Sequence, residues 1–233
     1  MEEKNSPPTD QRGNPIELAS RYDELVGEMR DHNIARFLDF SLRNNLNRWE
    51  KFITAPGARS ENPGHHAFKG GLAYHSLTAA QLGSTIVDHY RRLGMNVKRD
   101  IVVAGIILHD VGKAWCYEWK GQHLEYNGDE SHLVEPGYIH TKVSKLHHHI
   151  PVGFAKFMQW ADEFNRANGP HNLTEKKINH IGHIILSHHG RRSWSSPVIP
   201  NTIEAYIVHA VEMMDAYVDK YNKGCDVRDI YDH

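Results

Sequence analysis

The chain has 233 residues, a formal net charge of −2 at pH 7 and two cysteines, Cys116 and Cys225. This length suffices for one domain with its own core, and two distant cysteines exclude a disulfide scaffold and a cysteine zinc finger. The balanced charge argues against binding nucleic acid through overall positive charge. The longest apolar run, 101–108, is too short to span a bilayer, and the N-terminus lacks the apolar stretch of a signal peptide. The sequence therefore predicts a soluble, cytoplasmic protein without a membrane segment.

The first quarter of the chain predicts a polar arm followed by two helices. Residues 1–14 are polar and contain prolines, which indicates a flexible arm. From Pro15 onward, apolar residues recur every three or four positions, first to Met29 and then from Ile34 to Ile53. This N-terminal helical pair, residues 15–53, would pack on its own domain or on a second copy of the chain, so the sequence leaves a homo-oligomer open.

The central part predicts a loop and two further helices. Residues 54–71 are rich in Pro, Gly, Ser and Asn, which is typical of a loop, and they include His65 and His66. A helix is expected from about Leu72 to Leu93. The run Ile101–Leu108 is apolar on every face, which predicts a buried helix.

The last part predicts one short hairpin and three helices. Aromatic and polar residues alternate over 115–127 around Lys120-Gly121, which indicates a β-hairpin, and 128–138 is expected to be a loop. Helices are expected over 139–165 with a break near Pro151, from the cap Thr174 to about 189, and over 202–221. The predicted fold is an all-α helical bundle, with one domain over 15–233 and a core over 54–221.

The chain contains 19 histidines, and one of them is followed by an aspartate where the buried helix ends. Burying the charge of Asp110 beside His109 costs several kcal/mol unless a cation meets it. Lys113, one turn later, is one candidate for that cation, and a divalent metal ion is the other. Gly112 would allow a left-handed turn that ends the helix.

Polar residues of the same kind recur in other apolar stretches. His75 lies in the first turn of one predicted helix, the pair His188-His189 ends another, and Asp215 follows an apolar stretch of the last. His149, in a run of three histidines, is a fifth contributor. Each alone is as well or better explained as a hydrogen-bonded core residue, but their joint occurrence favours a metal centre in the bundle.

The sequence around these residues resembles that of a known family. The segments 65–75 (HHAFKGGLAYH), 104–113 (AGIILHDVGK) and 185–190 (ILSHHG), in this order and followed by Asp215, resemble the HD-domain metal-dependent phosphohydrolase superfamily. In particular, they resemble the HD domain of the YhaM-type 3′–5′ exoribonucleases. The resemblance covers about 54–221, and it implies an all-α HD-domain fold.

The resemblance implies a pair of metal ions, with ligands assigned position by position. One ion would be held by His75, His109, Asp110 and Asp215. Asp110 would bridge to a second ion held by His149, or one of its neighbours His147 and His148, together with His188 and His189. Such a pair would lower the pKa of a bridging water and polarise phosphoryl oxygens. A histidine-rich ligand set suits Mn, Fe, Ni or Zn better than Mg or Ca, and Mn is favoured.

Further residues are expected to contact the substrate. Lys113 would neutralise phosphate charge, and His66 would either contact the leaving group or anchor its loop by a hydrogen bond. Arg191, Arg192 and Trp194 would grip phosphate and stack a base, or else form a solvated loop.

The predicted function is hydrolysis of phosphate esters in nucleotides or single-stranded nucleic acid, including 3′–5′ exonuclease action. Two features depart from the compared families: no N-terminal OB-type module is expected, and residues 190–194 lack the Gly-Tyr-Pro signature of the cyclic-dinucleotide branch. The alternatives are a di-iron oxygenase built from the same ligands and a non-catalytic metal- or nucleotide-binding module.

Overall fold

The structure, a computed structural model, describes residues 6–60, 64–127 and 130–225. Its helices are α1 (Pro15–Gly27), α2 (His32–Leu38), α3 (Leu46–Thr54), α4 (Gly71–Arg92), α5 (Arg99–His109), α6 (Lys113–Cys116), α7 (Lys142–His147), α8 (His149–Asn168), α9 (Glu175–Ser187) and α10 (Ile203–Asn222). Its strands are β1 (Tyr117–Lys120), β2 (His123–Asn127), β3 (Glu130–Val134) and β4 (Gly137–His140). The predicted all-α class with a small amount of β structure is confirmed.

Side-chain caps set where several helices begin. The Thr174 side chain accepts a hydrogen bond from the backbone N–H of Lys177, so the predicted cap of α9 is present. The Asn14 side chain caps α1 in the same way, and Pro15 occupies its first position. Such caps satisfy backbone donors that the first turn leaves without a helical partner.

The second predicted helix, Ile34 to Ile53, is divided. α2 passes into a π-helical turn over Asp39–Arg43, and α3 begins only after Asn45. The side chain of Asn45 accepts a hydrogen bond from the backbone N–H of Arg48. An Asn side chain that caps a new helix competes with continuation of the old one, which explains the division.

The predicted hairpin across Lys120-Gly121 is wrong. β1 pairs with β4, with Tyr117 opposite His140, and β2 pairs with β3. Residues expected to form a loop over 128–138 therefore include β3 and the start of β4. The alternating pattern indicates strands but does not specify the partner, and Asn127-Gly128 is the more typical hairpin-turn sequence.

The helix expected over 139–165 also differs. Ile139 lies in β4, and the break falls at His148, whose φ of 63° separates α7 from α8. Pro151 lies in the first turn of α8, where its missing N–H disturbs no helical hydrogen bond.

The buried helix α5 lies at the centre of the bundle. Every residue from Ile101 to His109 is buried, and α5 packs against α4, α8, α9 and α10. A Cβ at Gly105 would lie 2.7 Å from the Cδ1 of Ile184, so glycine allows α9 to approach closely. None of the described helices combines the length and hydropathy needed to cross a membrane.

The N-terminal segment contacts the domain. The Pro8 carbonyl accepts a hydrogen bond from the N–H of Lys69, and Arg12 lies 2.8 Å from the carboxylate of Asp219 on α10. These contacts place residues 8–13 against the domain, and the flexibility of the arm over 1–14 stays a prediction. Residues 1–5 of that arm lie outside the described residues.

We predict that Gly112→Ala destabilises the protein strongly. Gly112 has a φ of −60°, which is right-handed, so the expected left-handed turn is absent. Glycine is needed here for space instead, because a Cβ would lie 2.0 Å from the His149 carbonyl oxygen. Because backbone must move, we expect a loss of about 3 kcal/mol or more in the free energy of unfolding. Gly27→Ala, which meets nothing within 4 Å, is the matched control and should leave the melting temperature nearly unchanged. Equal melting temperatures for the two variants would contradict this packing.

Candidate metal centre

The ends of several helices meet at one end of the bundle. α5 ends with His109 and Asp110, α9 ends just before His188 and His189, and α8 begins with His149. Further acids and imidazoles come from the first turns of α4 and the middle of α10. The structure thus brings together side chains that are more than 130 residues apart in sequence.

Asp110 lies at the centre of this cluster and is fully buried. Its Oδ2 atom lies 2.5 Å from Lys113 Nζ and 3.3 Å from His109 Nε2. Its Oδ1 atom lies 3.2 Å from His149 Nε2 and 3.5 Å from His188 Nε2. Among the described residues, neither oxygen accepts a hydrogen bond of good geometry. The carboxylate therefore presents its two oxygens to two different groups of imidazoles, with Lys113 beside one of them.

The charges of Asp110 and Lys113 stabilise each other. Although burial opposes ionisation, the charge of Lys113 and the adjacent His109 side chain hold the pKa of Asp110 well below its usual range. Burial likewise opposes the charge of Lys113, but the neighbouring carboxylate raises the pKa of the Lys113 ammonium. Both groups are consequently ionised at neutral pH, although both are buried.

Backbone carbonyls orient three of the imidazoles. The Nδ1 atom of His109 donates to the Ile106 carbonyl at 2.6 Å, and that of His188 donates to the Ile185 carbonyl at 2.8 Å. His189 Nδ1 donates to the Trp194 carbonyl at 2.6 Å. With the proton assigned to Nδ1, each Nε2 atom carries a lone pair, which is the arrangement typical of metal-binding histidines.

Burial keeps most of these imidazoles neutral. It lowers the pKa of His149 to about 3 and the pKa values of His75 and His189 to about 4, and it lowers that of His188 well below its usual value. A metal ion binds the neutral form of histidine, so these side chains need lose no proton on binding at neutral pH.

The residues fit two neighbouring metal ions. One group of possible ligands comprises Asp110, His149, His188 and His189, and another comprises His75, His109 and Asp110, with the ligand atoms of each group within 4.8 Å of one another. The buried His149 and His188 Nε2 atoms have no hydrogen-bond partner among the described residues. Unpaired polar atoms of this kind are costly in a dry interior, and bound cations would satisfy them.

Asp215 lies behind His75 and is not grouped with Asp110. Its Oδ2 atom accepts hydrogen bonds from His75 Nδ1 at 2.6 Å and from His66 Nε2 at 2.7 Å. His75 Nε2 then faces His109 Nε2 at 3.2 Å. A carboxylate bound to the outer nitrogen of a histidine fixes its tautomer and orientation. This geometry differs from the direct role that the sequence suggested for Asp215.

Glu212 is a buried acid that the sequence reading missed. It lies one turn before Asp215 on α10, is 4 % exposed, and groups with His65 and His75 as a possible ligand set. Its Oε2 atom has no partner among the described residues, and burial raises the pKa of Glu212 to about 7. The signal was present in the sequence, because Glu212 lies within the same apolar stretch that made Asp215 conspicuous.

Comparison with known proteins identifies the family. The sequence matches the HD domain family over residues 72–217, which is more than half of the chain. The chain belongs to the HD domain family. This HD domain begins at the second residue of α4 and ends within α10, so it includes all of the acids and imidazoles of the two groups. The resemblance found in the sequence is thereby confirmed.

Several curated relatives cover this HD domain and a longer chain. The 3′–5′ exoribonuclease YhaM of Geobacillus sp. is 29 % identical over 210 residues, which are 90 % of this chain and 55 % of the relative. The proteins of the same name from Listeria welshimeri and Shouchella clausii are 28 % and 26 % identical, over 90 % and 91 % of this chain and 57 % and 56 % of theirs. This chain thus spans a little over half of the length of these relatives. No solved structure matches it.

The predicted substrate residues lie at different distances from the HD-domain centre. Lys113 contacts Asp110 directly. His66 is buried, and its backbone N–H donates to Asp219 at 2.7 Å, which is the contact expected of a loop anchor. Arg191 and Arg192 are exposed, so the structure does not bring them to Asp110. Trp194 is half-buried, and its carbonyl is bound to His189. Contact of these residues with a substrate stays a prediction.

We predict that Glu212→Gln stabilises the metal-free protein at pH 8. The folded-state pKa of about 7 lies above the ordinary value of 4.5. Ionisation of Glu212 therefore lowers the free energy of unfolding as pH rises from about 4.5 through 7. Glutamine removes that loss. In EDTA at pH 8 we expect a melting temperature a few degrees above wild type, since about 1 kcal/mol corresponds to ~2–4 °C. The difference should vanish near pH 4.5.

The control for Glu212→Gln is Glu50→Gln, which changes an exposed acid on α3. A wild-type pH profile that Glu212→Gln leaves unchanged would contradict the assignment.

Proposed function

We propose that this HD domain is a metal-dependent phosphohydrolase that removes nucleotides from the 3′ end of single-stranded RNA. The observation that carries the proposal is Asp110, a fully buried carboxylate whose Oδ2 atom lies beside Lys113 and His109 and whose Oδ1 atom faces the Nε2 atoms of His149 and His188. The relatives are named as 3′–5′ exoribonucleases, which supports RNA as the substrate.

We assign the ligands of two divalent ions to the two groups. His75, His109 and Asp110 would hold one ion, and Asp110, His149, His188 and His189 would hold the other. When bound, such ions activate a water nucleophile and stabilise charge on phosphoryl oxygens. A set dominated by imidazole favours Mn, Fe, Ni or Zn, and manganese is our choice for the first assays.

Two acids on α10 are proposed to have different roles, one as a metal ligand and one in positioning a ligand. Glu212, with its unpaired buried oxygen, is proposed as the further carboxylate of the first ion. Asp215 is proposed as a positioning residue, because its hydrogen bond to His75 Nδ1 turns Nε2 toward His109. His66 shares the Asp215 oxygen and would hold this carboxylate in place.

Lys113 is proposed to stabilise substrate charge. Its side chain is 5 % exposed and its ammonium lies beside Asp110, so it would supply a fixed positive charge where the phosphodiester binds. A cation held in a water-excluded site interacts with a phosphoryl oxygen far more strongly than one in bulk water. Lys113 also keeps Asp110 ionised before any ion binds.

We predict that the purified protein binds two metal ions per chain and that His188→Ala reduces this number to one. His188 belongs only to the second group of ligands, so the first group should remain intact. Metal content after dialysis against manganese, measured by mass spectrometry, checks the ratio. The control is His171→Ala, an exposed histidine before α9, which should still bind two. Equal metal content in His188→Ala and wild type would exclude His188 as a ligand.

We predict metal-dependent shortening of single-stranded RNA that Asp110→Asn abolishes. The substitution keeps the shape of the side chain but removes the charge that both ligand groups share, so we expect a rate loss of at least about 100-fold. A 5′-labelled RNA and the matching DNA are incubated with Mn²⁺ and resolved on a denaturing gel. A ladder in wild type alone supports 3′–5′ exonuclease action. Intact RNA with wild type, or an equal ladder with Asp110→Asn, would contradict the proposal.

A further inference from the structure

A cleft of about 380 Å³ opens beside the metal centre, between α10 and the turn over 193–195. We name it the α10 cleft. Residues of α10 at three- and four-residue spacing line one side, namely Glu212, Met213, Ala216, Tyr217 and Lys220. Because this spacing places them on one face of the helix, they form a continuous wall that begins at the metal centre and ends at the surface.

The wall opposite α10 is held by contacts to a proposed metal ligand. Trp194 lines the cleft, and its carbonyl accepts the hydrogen bond of His189 Nδ1. The guanidinium carbon of Arg191 lies 4.5 Å from the centroid of the Trp194 ring, which fixes the orientation of the indole and adds a positive charge. The backbone that carries this aromatic ring is therefore held by His189, which is a proposed ligand of the second ion.

The inner end of the cleft contains polar atoms with no protein partner. His65 Nε2 and Glu212 Oε2 are inaccessible to solvent and form no hydrogen bond with any described residue. Because the Glu212 carboxylate is assigned to the first ion, His65 Nε2 is the atom that a bound polar group, such as a sugar hydroxyl, would satisfy.

We propose that the α10 cleft binds the terminal nucleoside of a single strand, with its base against Trp194 and Tyr217 and its sugar toward His65. Aromatic side chains can stack on any base. Lys220, near the outer end of the wall, is placed to pair with a phosphate of the strand. This inference rests on the proposed function, and it adds the recognition of the terminal base. A paired base is stacked inside a duplex and cannot enter, so the cleft selects single-stranded ends.

The test measures binding separately from cleavage. A 5′-fluorescein-labelled RNA octamer carries a phosphorothioate at its last linkage to slow hydrolysis, and its 3′ nucleotide is either uridine or abasic. Fluorescence anisotropy with the metal-loaded protein gives the two dissociation constants. We expect wild type to bind the uridine end at least about 10-fold more tightly than the abasic end. A ratio near one would overturn the proposal.

Substitution of Tyr217 assigns the preference to the cleft. Tyr217→Leu should bring the ratio of the two dissociation constants close to one, and Tyr217→Trp should restore it. The matched control is Tyr206→Leu, a 59 % exposed tyrosine of α10 that does not line the cleft, and it should retain the wild-type ratio. Circular dichroism melting confirms that each variant is folded. A full base preference in folded Tyr217→Leu, or an equal loss in Tyr206→Leu, would also overturn it.

The two proposals fail in different ways. Base-dependent binding without a ladder in the gel assay would contradict the hydrolase assignment and support the cleft. A ladder of equal rate on uridine and abasic ends would support the hydrolase and contradict the cleft.

Discussion

The buried charge of Asp110 is the constraint on which the rest of the site depends. A carboxylate with no exposed surface is tolerated because Lys113 and several imidazoles surround it. Losing one partner of such a set leaves an unpaired charge in the interior, which typically costs 3–5 kcal/mol. The need to compensate this single group explains why α5, α8 and α9 all direct polar side chains to the same end of an otherwise apolar bundle.

Rigid elements hold these groups at short distances. His109 and His188 each donate to a backbone carbonyl three residues earlier in their own helix, so the helix itself sets the ring orientation. The approach of α8 to the turn after α5 depends on the absence of a side chain at Gly112. Preorganised ligands of this kind need little rearrangement when a cation binds, because their Nε2 atoms already face inward.

Local patterns predicted much of this architecture, and long-range contacts account for what they missed. The spacing of apolar residues located α1, α4, α5, α9 and α10, because the residues of a buried helix face recur within a short stretch of sequence. Strand pairing was missed because alternation does not identify the partner of β1. Glu212 and Asp215 differ by one turn on the same helix, so sequence alone could not decide which carboxylate faces His65 and which binds His75 Nδ1.

The ion pair between Arg12 and Asp219 has a consequence for the order in which the centre can be assembled during synthesis. Asp219 also accepts the backbone N–H of His66, and it lies 207 residues after Arg12. A nascent chain lacks this carboxylate until α10 emerges from the ribosome, and by then almost every other described residue has been made. The His65-His66 loop therefore takes its final position only after α10 has been made, so chains that stop before α10 carry the imidazoles of α5 and α9 without a finished site.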